Sequence, residues 1–188
     1  MNNLLTDYIK VYNHALDENL IRNILTELDS VSWDRNTFYS PSKQEFFSKL
    51  GDKELFMSLD AIPSSPAVMD IIWKGIHKYY TDLDFPWFNT WNGFSTIRWN
   101  KYVENTEMNL HWDSIHSMFD GNVKGVPTLS VVGCLNDDYT GGEFIMFDDS
   151  EIKLKAGDLL IFPATFLYPH KINPVKTGTR HTFVSWVW

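Results

Sequence analysis

Hydrophobic and polar residues follow two different periods along the chain, and the change of period divides it into two parts. Up to about residue 92 the readable pattern has the period of amphipathic helices. From Gly93 onward it has the two-residue period of β-strands. Residues 34–64 lie between the helical stretches and are polar and interrupted by Pro and Gly, so we expect loop with short strands there.

Two helices are predicted in the first part. In residues 17–30 an apolar stripe follows Asp17, which is a suitable N-cap. In residues 64–80 we expect Ser65 to cap a second helix and Pro66 to occupy its first turn. The stripes consist of Leu20, Ile21, Ile24, Leu25 and Leu28 in the first helix and Val68, Ile71, Ile72, Ile76 and Tyr79 in the second.

Eight short strands are predicted in the second part, separated by turn signals such as DDYTGGE, KAGD and NPVKTGT. This pattern favours an antiparallel barrel or jelly roll. The expected fold class is mainly β with flanking helices (α+β), in one domain over residues 1–188. A helical part of about residues 1–92 would cover the outer face of one sheet of a core of about residues 93–188. The strand sequences are FSTIRWNKY, MNLHW, TLSVVGCLN, GEFIMF, EIKLK, DLLIFP, YPHKI and RHTFVSWVW.

Composition narrows the classes of function. The 188 residues are 44% hydrophobic and 15% aromatic, as in a packed globular protein. The net charge of −8 argues against non-specific binding to nucleic acid or anionic membranes. A single cysteine, Cys134, excludes an internal disulfide and fits a reducing compartment. No signal peptide is apparent and no apolar run approaches ~18 residues. We therefore expect a cytoplasmic protein with no membrane partner.

The stretch NLHWDSIHSMFDG, residues 109–121, contains a candidate metal site. His111 and Asp113 are two residues apart, so on a strand they share one face. With 6 His and 16 Asp in the chain, chance alone gives ~0.5 such HxD pairs, so the pair by itself is weak evidence. The alternative is a polar strand end that enters a loop.

A third ligand would strengthen the metal interpretation, because a two-His, one-carboxylate triad leaves coordination positions open. Three histidines follow the HxD pair. His116 lies in a glycine-containing loop and is more simply a polar loop residue. His181 follows Arg180 directly, so it faces outward if Arg180 faces inward. His170 comes just after a strongly apolar strand and is the best candidate.

Arg180 lies ten residues past His170 and begins the last strand, where Thr182, Val184 and Trp186 share its face. An arginine inside an apolar barrel is costly unless it meets an anion, and no carboxylate in the sequence is an obvious partner. A bound dicarboxylate would be one. The alternative is a surface arginine near the chain end, but the spacing to His170 favours the inward orientation.

Together, HxD, a distal His and an Arg ten residues later, on a run of short strands, resemble the Fe(II)/2-oxoglutarate-dependent dioxygenases, and within them the prolyl 4-hydroxylase-like branch. Tyr102 lies nine residues before His111, where that branch usually has a tyrosine near the co-substrate. CLNDDYTGGEF resembles its YLN…GGE signature, LKAGDLLIFP the strand before its distal His, and HKINPVKTGTR its H…PV…G.R ending. The resemblance covers about residues 94–188.

The resemblance implies a double-stranded β-helix, the jelly roll of cupin-like proteins, and an Fe(II) site on His111, Asp113 and His170. It implies that 2-oxoglutarate binds the metal and Arg180, that O2 is the second co-substrate, and that ascorbate is a candidate reductant. The reaction would release succinate and CO2 and hydroxylate an unactivated C–H bond. The carboxylate of Asp113 argues for hydroxylation, since family members that halogenate lack it.

Two departures from the family pattern concern the co-substrate site. Cys134 stands where the family often has a tyrosine that holds the far carboxylate of 2-oxoglutarate, so we expect Thr128 or Thr182 to help instead. Asn105 stands where a glycine often follows the counterpart of Tyr102, so we expect a loop of different shape.

The resemblance favours a prolyl residue of a peptide or protein as the substrate. Trp99, Trp112 and Phe119 are candidates for holding a proline ring, with core packing as the plainer alternative. Residues 34–64 and the loop 114–127 are candidate lids.

Three other functions stay open. One is hydroxylation of a free amino acid or other small molecule. A nucleic-acid demethylase of the AlkB type is disfavoured. That family has two arginines spaced six apart after the distal His, whereas here Trp186 stands six residues past Arg180, so the second arginine is missing. The last is a cupin-like metal-binding barrel without turnover, since fold alone does not give function.

Overall fold

The computed structural model describes residues 4–40, 43–85, 91–114 and 126–188. Its α-helices are α1 (Glu18–Glu27) and α2 (Ser65–Leu83), with short 3-10 helices at Leu5–Tyr8, Leu28–Ser30 and Gly51–Lys53. The strands are β1 (Lys10–Tyr12), β2 (Asp34–Arg35), β3 (Phe38–Ser40), β4 (Glu45–Phe47), β5 (Phe56–Ser58), β6 (Arg98–Tyr102), β7 (Met108–His111), β8 (Leu129–Cys134), β9 (Thr140–Gly141), β10 (Phe144–Met146), β11 (Ser150–Ile152), β12 (Leu159–Pro163), β13 (His170–Ile172), β14 (Val175–Thr177) and β15 (Arg180–Val187).

Two sheets form a jelly roll. The larger sheet has the strand order β1-β12-β8-β15-β6-β5-β2, and the smaller has the order β11-β10-β13-β7. The pairings between these strands are antiparallel. Side chains of both sheets, such as Phe162 and Phe144, meet in one apolar cluster between them. The predicted fold class is therefore confirmed.

Each of the eight predicted strands overlaps an observed one, and the short strands β2 to β5 fall in the stretch predicted to be loop with short strands. Two further pairs, β14 with β9 and β3 with β4, stand beside the main sheets. The edge strand β1 was not predicted, because three residues are too few to show a period. Among the residues described, no helix is long and apolar enough to cross a membrane.

The starts of the two helices differ in how well they follow the sequence. As predicted, the side chain of Asp17 caps α1 by accepting a hydrogen bond from the backbone N–H of Leu20. The predicted cap of α2 was one residue late, since the N-cap is Ser64 and Ser65 lies in the helix. The hydroxyl of Ser64 donates to Glu27 at the end of α1, and this contact holds the two helices together.

The helices cover the outer face of the larger sheet, as predicted. Gly75 of α2 lies so close to the sheet that a Cβ there would be 2.5 Å from a methyl group of Leu159 on β12. Ile71, Leu20 and Leu25 of the predicted stripes are only partly buried. The buried cluster joins Ile21, Ile24, Leu28, Val68, Ile72, Ile76 and Tyr79 of the helical part to Trp99, Val131, Leu159, Ile161, Phe183 and Val187 of the sheet.

Candidate functional site

The three predicted metal ligands lie together at one end of the smaller sheet. His111 on β7 pairs with His170 on β13. His111 is the last residue of β7, and Asp113 lies two residues beyond it. The Nε2 of His111 is 3.4 Å from Oδ1 of Asp113, and the Nε2 of His170 is 3.7 Å from Oδ2. One ligand atom from each residue lies within 4.8 Å of the others, so the residues can share one ion.

Backbone carbonyl groups orient both imidazole rings. The Nδ1 of His111 is 2.7 Å from the carbonyl oxygen of Asn109, and the Nδ1 of His170 is 3.2 Å from that of Tyr168. Since a carbonyl oxygen only accepts, each Nδ1 carries the proton in these contacts. Each Nε2 therefore presents a lone pair to the site, as metal-ligating histidines do.

The carboxylate of Asp113 is fixed by Ser130 of β8, whose hydroxyl donates to Oδ2 over 2.7 Å. Burial alone would raise the pKa of Asp113, but the neighbouring His170 and His111 and the Ser130 hydroxyl bring it well below its usual range. Burial lowers the pKa of His170 to about 4, against the opposing effect of Asp113. At neutral pH the site therefore offers one ionised carboxylate and a neutral His170, which are the states that bind metal.

The donor set fits a divalent first-row metal such as Fe(II). Two imidazole nitrogens and one carboxylate oxygen on one side leave the remaining coordination positions open, as in the non-haem Fe(II) triad. The ring of Phe144 stacks on His170 at 5.3 Å between centroids, and Phe162 meets the same ring edge-on at 5.0 Å. This aromatic surround keeps water from one side of the site.

Arg180 points into the same pocket and is only 2% exposed. Its Nε donates to the hydroxyl of Tyr139 over 3.2 Å, and its guanidinium carbon lies 5.0 Å from the centre of the Tyr102 ring. In the described part of the chain, no carboxylate lies within ion-pair distance of Arg180. Thr182 lines the pocket beside it, while His181 faces the opposite side of β15, next to Trp33.

Other expectations for the co-substrate site are corrected by the structure. Thr128 is exposed and lies beside Val187 at the other end of β15 from Arg180, so it does not reach the arginine. The residue that contacts Arg180 is Tyr139, which the sequence analysis missed although it stands inside the CLNDDYTGGEF signature. The thiol of Cys134 donates to the backbone oxygen of Asn136.

The loop after Tyr102 keeps the backbone conformation that a glycine would favour. Asn105 has a φ of 65°, in the left-handed region that asparagine tolerates better than most residues. The asparagine alone therefore gives no reason for the different loop shape that we expected.

The pocket has a second buried end that the sequence analysis also missed. Arg98 and Asn100 alternate with Tyr102 along β6 and point to the same side, so the strand FSTIRWNKY carries the signal in its period. A further cavity of about 310 Å³, between β9, β11 and Arg180, adjoins the other end. The main pocket is lined by Arg98, Asn100, Tyr102, Met108, His111, Asp113, Val132, Phe144, His170, Ile172, Arg180, Thr182, Val184 and Trp186.

The remaining candidates are placed as follows. Trp99 is buried between sheet and helices, so it packs in the core and does not face the pocket. Trp112, between the two HxD ligands, is 54% exposed. His116 and Phe119 lie outside the described residues, as does most of the candidate lid 114–127.

Comparison with known sequences identifies this arrangement. The profile of the 2OG-Fe(II) oxygenase superfamily matches residues 97–188, the part that carries the triad and Arg180. Over this part, the chain is similar to the 2OG-Fe(II) oxygenase superfamily. Enzymes of this superfamily use Fe(II), 2-oxoglutarate and O2, in agreement with the predicted cofactors and with the donor set of the site.

Curated relatives of the chain include bacterial PKHD-type hydroxylases. The chain is 37% identical over 107 residues to one from Xylella fastidiosa (strain M12), which covers 48% of this chain and 43% of the relative. It is 37% identical over 93 residues to one from Pseudomonas putida (strain W619), which covers 46% of this chain and 40% of the relative. The chain thus matches less than half the length of these relatives.

Solved structures confirm the fold over almost the whole chain. A Pseudomonas putida prolyl-4-hydroxylase superposes with a TM-score of 0.66 at 16% identity, covering 96% of this chain and 91% of the other. A Trichoplax adhaerens prolyl hydroxylase, solved with a peptide of the hypoxia inducible factor oxygen degradation domain, gives 0.71 at 14% identity, with 97% and 84% covered. The chain therefore has the fold of these prolyl hydroxylases.

Proposed function

We propose that this chain is an Fe(II)- and 2-oxoglutarate-dependent dioxygenase that hydroxylates an unactivated C–H bond of a prolyl residue in a peptide or protein, releasing succinate and CO2. The observation that carries the proposal is the arrangement of His111, Asp113 and His170 in one pocket with Arg180. Residues 1–188 would act as a single catalytic domain. A cytoplasmic location and ascorbate as the reductant belong to the same proposal.

The side chains of the triad would hold the metal, and Arg180 would bind the far carboxylate of the co-substrate. When bound, Fe(II) supplies the activation of O2 that the oxidative decarboxylation of 2-oxoglutarate requires. Arg180 is suited to its role because it is buried and has no carboxylate within ion-pair distance in the described chain, so a charge-assisted pair with a ligand would be strong. Tyr139 holds the arginine in place.

The protein also excludes water from the reacting atoms. Phe144 and Phe162, which surround His170, are both buried, and Met108 closes the pocket from β7. A dry pocket strengthens the pairing of Arg180 with a carboxylate and suppresses side reactions of an activated oxidant.

The prolyl substrate is supported by the relatives and the fold. The curated relatives are PKHD-type hydroxylases, and the structural neighbours include a prolyl hydroxylase solved with a peptide. A free amino acid or another small molecule is the second candidate, because the pocket contains another cation, the partly buried Arg98, whose buried Nε a small carboxylate would satisfy.

Anaerobic titration of the metal-free protein with Fe(II) and then 2-oxoglutarate tests the proposal. We expect a visible charge-transfer band in the wild type. The band should weaken with Asp113→Ala, which removes a ligand, and should need far more 2-oxoglutarate with Arg180→Ala. Iron binding without a band would contradict the dioxygenase proposal and favour a metal-binding barrel, and no iron binding at all would contradict the assignment of the triad.

A further inference from the structure

Two arginines lie at opposite ends of one pocket wall. In the register of β6 with β15, Arg180 is opposite Tyr102, and Arg98 is opposite Val184. Four residues of strand separate these positions, which is roughly 13 Å between Cα atoms. Arg180 has an assigned ligand, the far carboxylate of 2-oxoglutarate, whereas Arg98 has none.

The end with Arg98 lies on the Asp113 side of the pocket. Trp186 is paired with Ser130 across β15 and β8, and the Ser130 hydroxyl holds Asp113. The guanidinium carbon of Arg98 lies 5.2 Å from the centre of the Trp186 ring. Arg98 therefore lies near the triad but away from Tyr139 and the co-substrate carboxylate.

Three buried polar atoms at this end of the pocket have no hydrogen-bond partner in the described part of the chain. These atoms are Nε of Arg98, Nε1 of Trp186 and Oδ1 of Asn100. A terminal nitrogen of Arg98 donates a hydrogen bond to Oδ1 of Asn36, but this bond is long, at 3.4 Å. Buried unpaired donors are rare and costly in native proteins, so several in one pocket indicate a ligand that satisfies them.

The charges of the groups in the pocket indicate whether that ligand is an anion or a cation. Burial lowers the pKa of Arg98, although Tyr102 and Asp113 oppose the shift, and a guanidinium remains charged in proteins. Among the described residues that line the pocket, Asp113 is the one carboxylate. With Fe(II) and doubly charged 2-oxoglutarate bound, the two arginines and Asp113 leave one positive charge uncompensated. A carboxylate would neutralise it and accept from both Arg98 and Trp186.

We propose that Arg98 binds a carboxylate of the substrate, with Nε1 of Trp186 as a second donor, so that the substrate carries a carboxylate close to the hydroxylated carbon. This inference rests on the proposed function, because it places the substrate against the triad. The carboxylate has two chemical sources. It is either the α-carboxylate of a free amino acid or C-terminal residue, or the side chain of an acidic residue next to the proline of a peptide.

Calorimetric titrations of matched probes into the anaerobic protein with Fe(II) and 2-oxoglutarate test the proposal. L-Proline against L-prolinamide, and glycyl-L-proline against its amide, test the α-carboxylate. N-acetyl-Gly-Pro-Glu-Gly amide against its Gln counterpart tests the acidic side chain. The source is the one for which the carboxylate probe binds better than its amide partner.

We expect Arg98→Gln to weaken binding of the preferred probe at least about 30-fold and to abolish its preference over the amide partner. Arg98→Lys should recover part of the affinity, since it keeps the charge and loses the fork. The 2-oxoglutarate concentration that half-saturates the charge-transfer band should stay unchanged in both variants. Arg35→Gln, on the exposed strand β2, is the matched control and should change neither value.

Two results would overturn the inference while the proposed function stands. One is a wild-type protein that shows the band but distinguishes no carboxylate probe from its amide partner. The other is Arg98→Gln raising the 2-oxoglutarate requirement as Arg180→Ala does, which would make Arg98 a co-substrate ligand. Absence of the band in the wild type would instead contradict the proposed function itself.

Thermal unfolding of the metal-free protein separates a binding role from a structural one. If Arg98 binds an anion, Arg98→Met removes an uncompensated, partly buried cation from the unliganded protein, so its Tm should equal or exceed that of the wild type. A clearly lower Tm would show that Arg98 holds the fold together, and the inference would fail.

Discussion

The two faces of the larger sheet are built from the same strands but have different roles: one packs against the helices and the other lines the pocket. On β6 and β15, Trp99 and Phe183 point to the helices and meet edge-to-face, with ring centroids 6.0 Å apart. The residues directly beside them in sequence, Arg98, Asn100 and Thr182, point into the pocket. The outer face is an apolar cluster, while the inner face carries the unpaired polar atoms of Arg98, Asn100 and Trp186.

The difference shows how one sheet can supply both stability and a site. Alternation along a strand lets each residue on the helix side be chosen for packing and each residue on the pocket side for chemistry. Uncompensated charges such as Arg98 and Arg180 destabilise the unliganded fold, and the helix-backed core must offset that cost. Substitutions on the two faces should therefore separate stability from ligand binding.

Phe183→Ala should give the largest effect, and on stability alone. The ring is fully buried between Trp99 and Gly133, so its loss leaves a cavity and should lower the free energy of unfolding by about 3–5 kcal/mol. Urea unfolding followed by tryptophan fluorescence measures this change. The folded fraction should still bind Fe(II) with wild-type affinity.

The control for this prediction is the next residue, Val184→Ala, which faces the pocket and is only partly buried. Its loss of stability should be well below that of Phe183→Ala. Equal losses from the two variants would mean that the pocket wall supports the fold as much as the core does, and the proposed division between the faces would be wrong.

Ser130→Ala should show the reverse pattern. It removes the hydroxyl that fixes Oδ2 of Asp113, and loss of such an orienting partner typically weakens metal binding about 10- to 100-fold. Fe(II) affinity under anaerobic conditions is the measurement, and unfolding should change little. The matched control is Ser185→Ala, a buried serine on the helix side whose hydroxyl donates to the backbone of Ser95. Weaker iron binding in Ser185→Ala would argue against a local role for Ser130.

Local periodicity explains why much of this arrangement could be predicted. The two-residue spacing placed His111 and Asp113 together, and the alternation along the last strand placed Arg180, Thr182 and Trp186 on one face. These predictions need only the geometry of one strand. His170 was chosen as the third ligand because it follows an apolar strand, and the family resemblance supported that choice. No local pattern shows its pairing with His111, since the two residues are 59 positions apart.

Long-range contacts explain what could not be predicted. The sequence KVY of β1 becomes a strand because β12, about 150 residues later, offers an edge to pair with. Ser64 replaces Ser65 as the N-cap of α2 in the presence of Glu27 from another helix. The burial of Arg98 depends on β6 pairing with β15, and the contact of Tyr139 with Arg180 depends on how a turn folds back.

Tyr139→Phe should give the smallest effect of these substitutions, and on the binding of 2-oxoglutarate at the inner face of the sheet. Burial raises the pKa of Tyr139 although Arg180 opposes the shift, so the phenol keeps its proton at neutral pH while it accepts from Nε of Arg180. Losing this hydrogen bond leaves the arginine less firmly placed. A net contribution of about 1 kcal/mol predicts a roughly fivefold higher 2-oxoglutarate concentration at half-saturation of the charge-transfer band.

The control is Tyr79→Phe, which loses a hydroxyl that donates to the backbone of Tyr8 on the helix side of the sheet. It should cost stability and leave the 2-oxoglutarate requirement unchanged. If Tyr139→Phe also leaves it unchanged while Arg180→Ala raises it, Arg180 is positioned by the strand and by its contact with the Tyr102 ring, without help from Tyr139. The position of Arg180, the cation that would bind 2-oxoglutarate, would then depend on β15 and the Tyr102 ring. The turn that carries Tyr139 would only help to close the cavity beside Arg180.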